Sequence, residues 1–187
     1  MDSLGLVLEG REGRARLQSR LLGKGLLVVQ VSLNIPGFPK KLPGDICCAD
    51  RMASRVREGV RRSGGKVVSE TGLLNGAGYA VLLGVLVKGD VRQLKERCIA
   101  LEEESPWGRA VDIDIITLSG SIGRGAVGKP PRPCLLCGDD AKACGRERRH
   151  DTASLRECVL QLFLQSLQEE EVSSSSPGSG SFSSSLR

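Results

Sequence analysis

The chain has 187 residues, enough for one domain with a real core and too few for two full ones. Its 27 Lys and Arg against 22 Asp and Glu leave a net charge of +5, an excess that suits a polyanionic ligand or an acidic partner protein as well as nucleic acid. Aromatics are scarce, with 3 Phe, 1 Tyr and 1 Trp, so the stacking platforms of single-stranded nucleic-acid binders are missing and that class is disfavoured.

Taken from the start, Met1 to Gly10 carries Asp2 and Glu9 and no sustained apolar region ahead of a small-residue cleavage site, so no export signal is read there. Glu9 to Leu22 mixes charges with Leu17, Leu21 and Leu22 and suits a short surface helix, stopped by Gly23 and Gly25. Leu26 to Leu33 has the β-branched density of a largely buried strand. Pro36, Pro39 and Pro43 with Gly37 and Gly44 make an irregular loop that carries Lys40 and Lys41. Asp45 can cap a helix to about Ser63, in which Ile46, Ala49, Ala53, Val56 and Val60 recur at helical spacing. Lys66 to Glu70 and Tyr79 to Val87 read as strands around a Gly-rich connection from Gly72 to Gly78. The second of these is the longest apolar run and far short of the roughly 20 residues that span a bilayer. Asp90 caps a helix to about Glu103, with Val91, Leu94, Cys98 and Leu101 inward.

A strand then carries Asp112 and Asp114. Side chains alternate along a strand, so the two carboxylates share one face while Val111, Ile113 and Ile115 line the other. Adjacent carboxylates repel unless a cation sits between them, and Mg²⁺ is the usual hard, oxygen-seeking solution. A pair of solvated carboxylates with no ligand is the plain alternative. Just upstream, Gly108 permits close backbone approach and Arg109 offers a planar fork suited to phosphate oxygens. The element order strand, helix, strand, strand, helix, strand is the split βαβ pattern. An α+β fold is therefore expected, with a sheet of about four strands and two helices on one face.

After Leu118 the chain turns Gly- and Pro-rich. Gly123 to Lys129 matches the start of a phosphate-binding G-x-x-x-x-G-K loop, but Pro130 stands where Ser or Thr must follow and a Pro-rich segment replaces the helix, so that reading fails. Cys134, Cys137, Cys144 and His150, the chain's one histidine, then supply three sulfurs and an imidazole with the reach for tetrahedral Zn²⁺. The other reading is small buried cysteines unrelated to the histidine. Asp151 or Thr152 can cap a last helix to about Glu170, with Leu155, Val159, Leu162 and Phe163 inward. One domain over residues 1–171, with the knuckle at 134–150 inside it, and a disordered Ser/Gly-rich tail over 172–187 complete the expected organisation.

The ordered string G-R-x-x-D-I-D, a Gly-rich turn, an Arg, P-P-R, C-L-L-C, a third Cys and a lone His resembles the apo-citrate lyase phosphoribosyl-dephospho-CoA transferases, or holo-citrate lyase synthases. The resemblance runs from the Arg-rich segment Arg11 to Leu22 as far as about Glu157. It implies a cytoplasmic nucleotidyltransferase that moves phosphoribosyl-dephospho-CoA from a triphosphoribosyl-dephospho-CoA donor to a serine of the citrate lyase acyl carrier protein, releasing diphosphate. On that reading Asp112 and Asp114 ligate Mg²⁺ or Mn²⁺ and one of them takes the serine proton. Arg109 binds triphosphate, Gly108 gives its backbone access, and Arg124 and Arg132 fall on basic positions of the family pattern. The pattern usually has a histidine before its Pro-x-Gly-Arg step, where this chain has Ser105. No nucleic acid or membrane partner is implied. Two rivals stay open: a zinc-knuckle module binding nucleic acid or protein, and a thiol enzyme using Cys144 or Cys137 with His150.

Overall fold

In the computed structural model, which describes residues 2–174, two central apolar strands buried on both faces anchor the sheet, and Asp caps and glycines punctuate the helices. In chain order the elements are α1 (Ser3–Leu22), β1 (Leu27–Leu33), α2 (Asp45–Arg62), β2 (Lys66–Asn75), β3 (Gly78–Leu86), α3 (Val91–Glu103), β4 (Val111–Thr117), β5 (Gly120–Ile122), α4 (Ala141–Glu147) and α5 (Thr152–Ser174). Short 3-10 turns cover Pro106–Ala110 and Arg124–Val127. The five strands form one antiparallel sheet in the order β2-β3-β1-β4-β5. Without β5, that order is the split βαβ arrangement, so the α+β expectation holds.

Both faces of the sheet are covered. On one, Val29, Val31, Leu83, Ile113 and Ile115 pack against α2, α3 and α5 through residues such as Met52, Val56, Cys98 and Phe163. On the other, Leu21, Leu26, Val28, Ala80 and Leu82 form a second, smaller core with Leu17, Leu22 and Ile116. The helix supplying Leu17 and Leu21 is α1, which is thus more than the short surface helix expected over Glu9 to Leu22. It starts at Ser3, where Asp2 accepts from the Gly5 N–H at 2.7 Å. Its middle is fastened to the β2–β3 turn: Arg14 Nη2 donates to the carbonyls of Ala77 and Gly78 at 2.8 and 3.0 Å, and Asn75 Nδ2 donates to the Gly10 carbonyl at 3.0 Å.

Other boundaries move for local reasons. β2 continues through Gly72 to Asn75, because Gly72 accommodates the Tyr79 ring across the hairpin, and only Gly76 and Ala77 turn. Gly44, at φ +82°, takes the cap position of α2, and Asp45 is its first residue, accepting from the N–H groups of Leu42 and Ile46. Asp151 caps α5 by accepting from the N–H and hydroxyl of Ser154 at 2.8 and 2.6 Å. That helix reaches Ser174, so residues 172–174 of the expected tail continue it, and 175–187 lie outside the described residues.

Two glycines of α1 should separate packing from propensity. A Cβ at Gly10 would lie 2.4 Å from Asn75 Oδ1 and 2.6 Å from the Ala77 nitrogen, whereas one at Gly13 meets nothing nearer than 3.9 Å. Gly10→Ala is expected to lower stability by about 1–3 kcal/mol through overpacking against backbone. Gly13→Ala should raise it by about 0.5–1 kcal/mol, the ordinary helical gain. Urea unfolding of the two variants checks the pair.

Candidate functional site

The site is built on β4, and β4 is held in an unusual way. β5 pairs only with Ile115 to Thr117, so the outer edge of β4 from Val111 to Asp114 has no neighbouring strand. Charged side chains take that place. Glu102, at the end of α3 and 3% exposed, accepts from the Ile113 N–H at 2.7 Å. Lys95 Nζ, also on α3, donates to the Ile113 carbonyl at 2.7 Å. Arg132 Nη1 donates to the Val111 carbonyl at 2.7 Å and pairs with Asp112 Oδ1 at 2.9 Å. Arg124 and Arg132 both pair with Glu102 Oε2, at 2.7 and 2.8 Å, so the buried carboxylate is fully engaged. Leading into β4, the Pro106–Ala110 turn packs under α3, where Gly108 is needed: a Cβ there would lie 2.4 Å from the Glu102 carbonyl.

Asp112 and Asp114 project to the face that α1 covers, beside Ser32 and Gln30 of β1 in register. They line one wall of a cleft of about 370 Å³. The opposite wall and mouth carry Arg11, Arg14, Gln18 and Lys40. Like charges are thus gathered on each side. Burial pushes both aspartates above the ordinary carboxylate range; Arg132 opposes this for Asp112, and Lys95 for Asp114. Burial, and then the neighbouring Arg11, lowers Arg14 and Lys40 from their usual values. Among the described residues no ion pair joins the two walls, and the buried Nε of Arg14 has no hydrogen-bond partner. Arg11, Arg14 and Lys40 were not singled out from sequence as site residues. The only signal was helical spacing that puts Arg11 and Arg14 on one face, and that means little until the helix is known to cover the D-x-D strand.

The other residues chosen from sequence fall into two groups. Arg132 reaches Asp112. Arg109 instead donates to the carbonyls of Cys134 and Leu135 at 2.9 and 3.2 Å, Arg124 pairs with Glu102 and Glu103, and Gly108 is buried beneath α3. None of these three lines the cleft of Asp112 and Asp114.

Cys134, Cys137, Cys144 and His150 do come together, with one ligand atom from each lying within 4.8 Å of all the others. Cys137 Sγ is 3.5 Å from Cys144 Sγ and 3.2 Å from His150 Nε2. A tight turn forms the knuckle: Cys134 N–H donates to the Asp139 carbonyl and Gly138 N–H to the Cys134 carbonyl. Asp140 caps the short helix α4 that presents Cys144, and Arg149 anchors its end by pairing with Asp139 and Glu147. Burial raises the Cys134 thiol, but N–H groups of Cys137 and Leu136 and the neighbouring thiols outweigh it and bring it down to about 7. Cys144 is pushed up to about 12, by burial first and then by its two cysteine neighbours. Such a Cys₃His group could hold a structural metal such as zinc.

No helix among the described residues is long and apolar enough to cross a membrane. Residues 2–166 match the family model described as apo-citrate lyase phosphoribosyl-dephospho-CoA transferase. A Streptococcus pyogenes serotype M18 protein named "Probable apo-citrate lyase phosphoribosyl-dephospho-CoA transferase" is 32% identical over 181 residues, covering 93% of this chain and 92% of the relative. A Streptococcus pyogenes serotype M1 protein of the same name is 33% identical with the same coverage. One from Vibrio cholerae serotype O1, again so named, is 31% identical over 155 residues, or 82% of this chain and 86% of the relative. Matched over nearly its whole length, the chain belongs to the apo-citrate lyase phosphoribosyl-dephospho-CoA transferase family.

Proposed function

We propose that this chain transfers phosphoribosyl-dephospho-CoA from its triphosphate precursor to a serine hydroxyl of the citrate lyase acyl carrier protein, with release of diphosphate. Beyond family membership, one observation supports the reading: the cleft sorts its charges, carboxylates on the sheet and guanidinium and ammonium groups opposite, without pairing them. Each wall raises the energy of its own charges. A ligand carrying both a polyanion and a divalent cation relieves both.

In the reaction the serine oxygen bonds to the α-phosphorus while the bond to the departing diphosphate breaks in line, and the serine proton passes to a base. Such transfers ask mainly for positioning and charge neutralisation. Arg14, with its unpartnered Nε, Arg11 and Lys40 bind the triphosphate and stabilise the leaving diphosphate. Asp112 and Asp114 fit Mg²⁺ or Mn²⁺, since they are two hard oxygen donors on one strand face whose ionised forms lack a cation from the facing wall. When bound, the ion neutralises phosphate charge and makes the hydroxyl more acidic. Asp112 is oriented by Arg132. The Asp114 carboxylate has no ion pair or hydrogen bond among the described residues, so it has an oxygen open to take the serine proton and is the proton acceptor. A histidine base is absent from this assignment, because Ser105 replaces the family's usual histidine and His150 is engaged in the cysteine cluster. Arg109, Arg124 and Gly108 serve the site by holding β4 and the knuckle. The cluster takes Zn²⁺ as a structural ion.

Three outcomes are expected. With apo carrier protein, the triphosphate donor and Mg²⁺, the intact mass of the carrier rises by one prosthetic group; Asp112→Asn and Asp114→Asn each lower the rate by at least about a hundredfold, of the order seen for loss of key electrostatic groups. Retained activity in both variants sinks the assignment. Asp114→Asn should also melt higher than the parent at neutral pH without metal. A raised folded-state pKa contributes stability below the unfolded pKa and loses it as pH rises through the folded one, so the variant's advantage appears on the alkaline side and vanishes in acid. Finally, metal analysis should find one zinc per chain, lost in a Cys134→Ser, Cys137→Ser double variant, with a lower melting temperature; equal melting with and without zinc would refute a structural ion.

A further inference from the structure

A second cavity, of about 670 Å³, opens between the Asn34–Lys40 loop and the cysteine knuckle. Asn34, Ile35 and Lys40 line both this cavity and the Asp112–Asp114 cleft, so the two meet at one wall. The cleft's polar character gives way here to a lining of mixed chemistry that includes Ile35, Leu135, Ala141 and Leu155. Its volume falls in the range of pockets that enclose small molecules.

Two residues of its lining, Gly145 and Arg148, bear on what the second cavity can hold. Gly145 sits in the middle of α4, where alanine would favour the helix by about 1 kcal/mol. A Cβ there would meet nothing within 4 Å, so the missing side chain serves no packing contact and leaves the lining clear. At the end of α4, Arg148 holds φ +49°, the single non-glycine residue in the left-handed region among those described. That conformation is the left-handed cap that ends α4, and it fixes where the Arg148 side chain leaves the backbone. Its guanidinium is exposed on the cavity wall, suited both to stacking on a planar base and to pairing with a diphosphate.

We infer that the cavity between the Asn34–Lys40 loop and the knuckle is the subsite for the adenosine and diphosphate portion of the donor, lying end to end with the phosphate cleft. This rests on the proposed transferase reading and deepens it. The triphosphoribosyl end lies against the carboxylates, Lys40 stands at the junction, and the nucleoside runs along α4 toward Arg148. The knuckle forms the wall of a substrate site, which is a use for the cysteine cluster distinct from contact with a macromolecule.

The test uses dephospho-CoA, which has the nucleoside and diphosphate and lacks the triphosphoribosyl end, titrated by calorimetry against the zinc-loaded full chain. Saturable binding is expected. An Asp112→Asn, Asp114→Asn double variant should bind it within about threefold of the parent, because the subsite lies beyond the carboxylates. Gly145→Trp, which projects into open space, and Arg148→Gly, which relieves the left-handed residue, should each bind at least tenfold more weakly at a melting temperature no lower than the parent's. A tenfold loss in either folded variant supports the subsite. It is overturned if neither variant loses affinity, if the double aspartate variant loses it, or if the parent does not bind dephospho-CoA at all. Those outcomes leave carrier modification by the parent chain untouched, so failure of the subsite is distinct from failure of the transferase reading.

Discussion

The buried carboxylate of Glu102 is the constraint on which the rest depends. A strand edge inside a protein presents N–H and C=O groups that must find partners. β5 is too short to cover β4 beyond Ile115, and α3 covers the gap with Glu102 and Lys95 instead of backbone. Putting a carboxylate at 3% exposure is costly unless it is paired, and here one N–H and two guanidinium groups share it. Losing one partner from such a buried arrangement typically costs about 3–5 kcal/mol. The close contact of Gly108 with the Glu102 carbonyl belongs to the same arrangement, because a wider approach would draw the carboxylate away from Ile113.

A consequence follows for the two aspartates. A full partner strand would have fixed the β4 backbone with hydrogen bonds alone. The actual edge brings Arg132 to Asp112 and Lys95 to the carbonyl between the two carboxylates, so fixed positive charge sits on one side of the pair. These cations are at the edge and do not fill the cleft. They hold Asp112 in direction and partly offset its repulsion from Asp114, yet burial still leaves both above their ordinary range. This balance is what the proposed transferase reading uses, in which an ion arrives with its own counter-charge as a metal–polyphosphate.

Much of this was legible in the sequence, and the remainder was hidden for identifiable reasons. β-Branched density in Leu26 to Leu33 and alternation from Val111 to Ile115 marked the two strands that carry the site, and Asp90 marked the start of α3. The Cys₃His spacing pointed to a cluster that does converge. The role of α1 was not readable: Leu4, Leu6 and Leu8 are exposed and only its last turns bring apolar side chains to the core, so no stripe announced that it covers the sheet. Without that face, Arg11 and Arg14 had no reason to be placed opposite Asp112. Arg109 looked like a phosphate ligand because Gly-Arg precedes the D-x-D strand; its carbonyl partners are 25 and 26 residues on, in a knuckle whose position sequence does not fix. Glu102 stood among three consecutive glutamates, and only the register of α3 on β4 distinguishes it from its exposed neighbours.

The cysteine cluster is tied to the carboxylates through backbone. Arg132 lies two residues before Cys134, and its carbonyl accepts from the Ala141 N–H at 3.0 Å, where α4 begins. Its side chain meanwhile holds Asp112 and the Val111 carbonyl. From the other direction Arg109, at the end of the turn leading into β4, reaches the carbonyls of Cys134 and Leu135. The segment between Arg132 and Ala141 is therefore pinned at its start by β4, at its first cysteine by Arg109, and at its end by α4. The convergence of three sulfurs and an imidazole at the middle of that segment leaves it little remaining freedom. Arg132 is thereby held where it orients Asp112, so order in the knuckle becomes order in the carboxylate pair on β4.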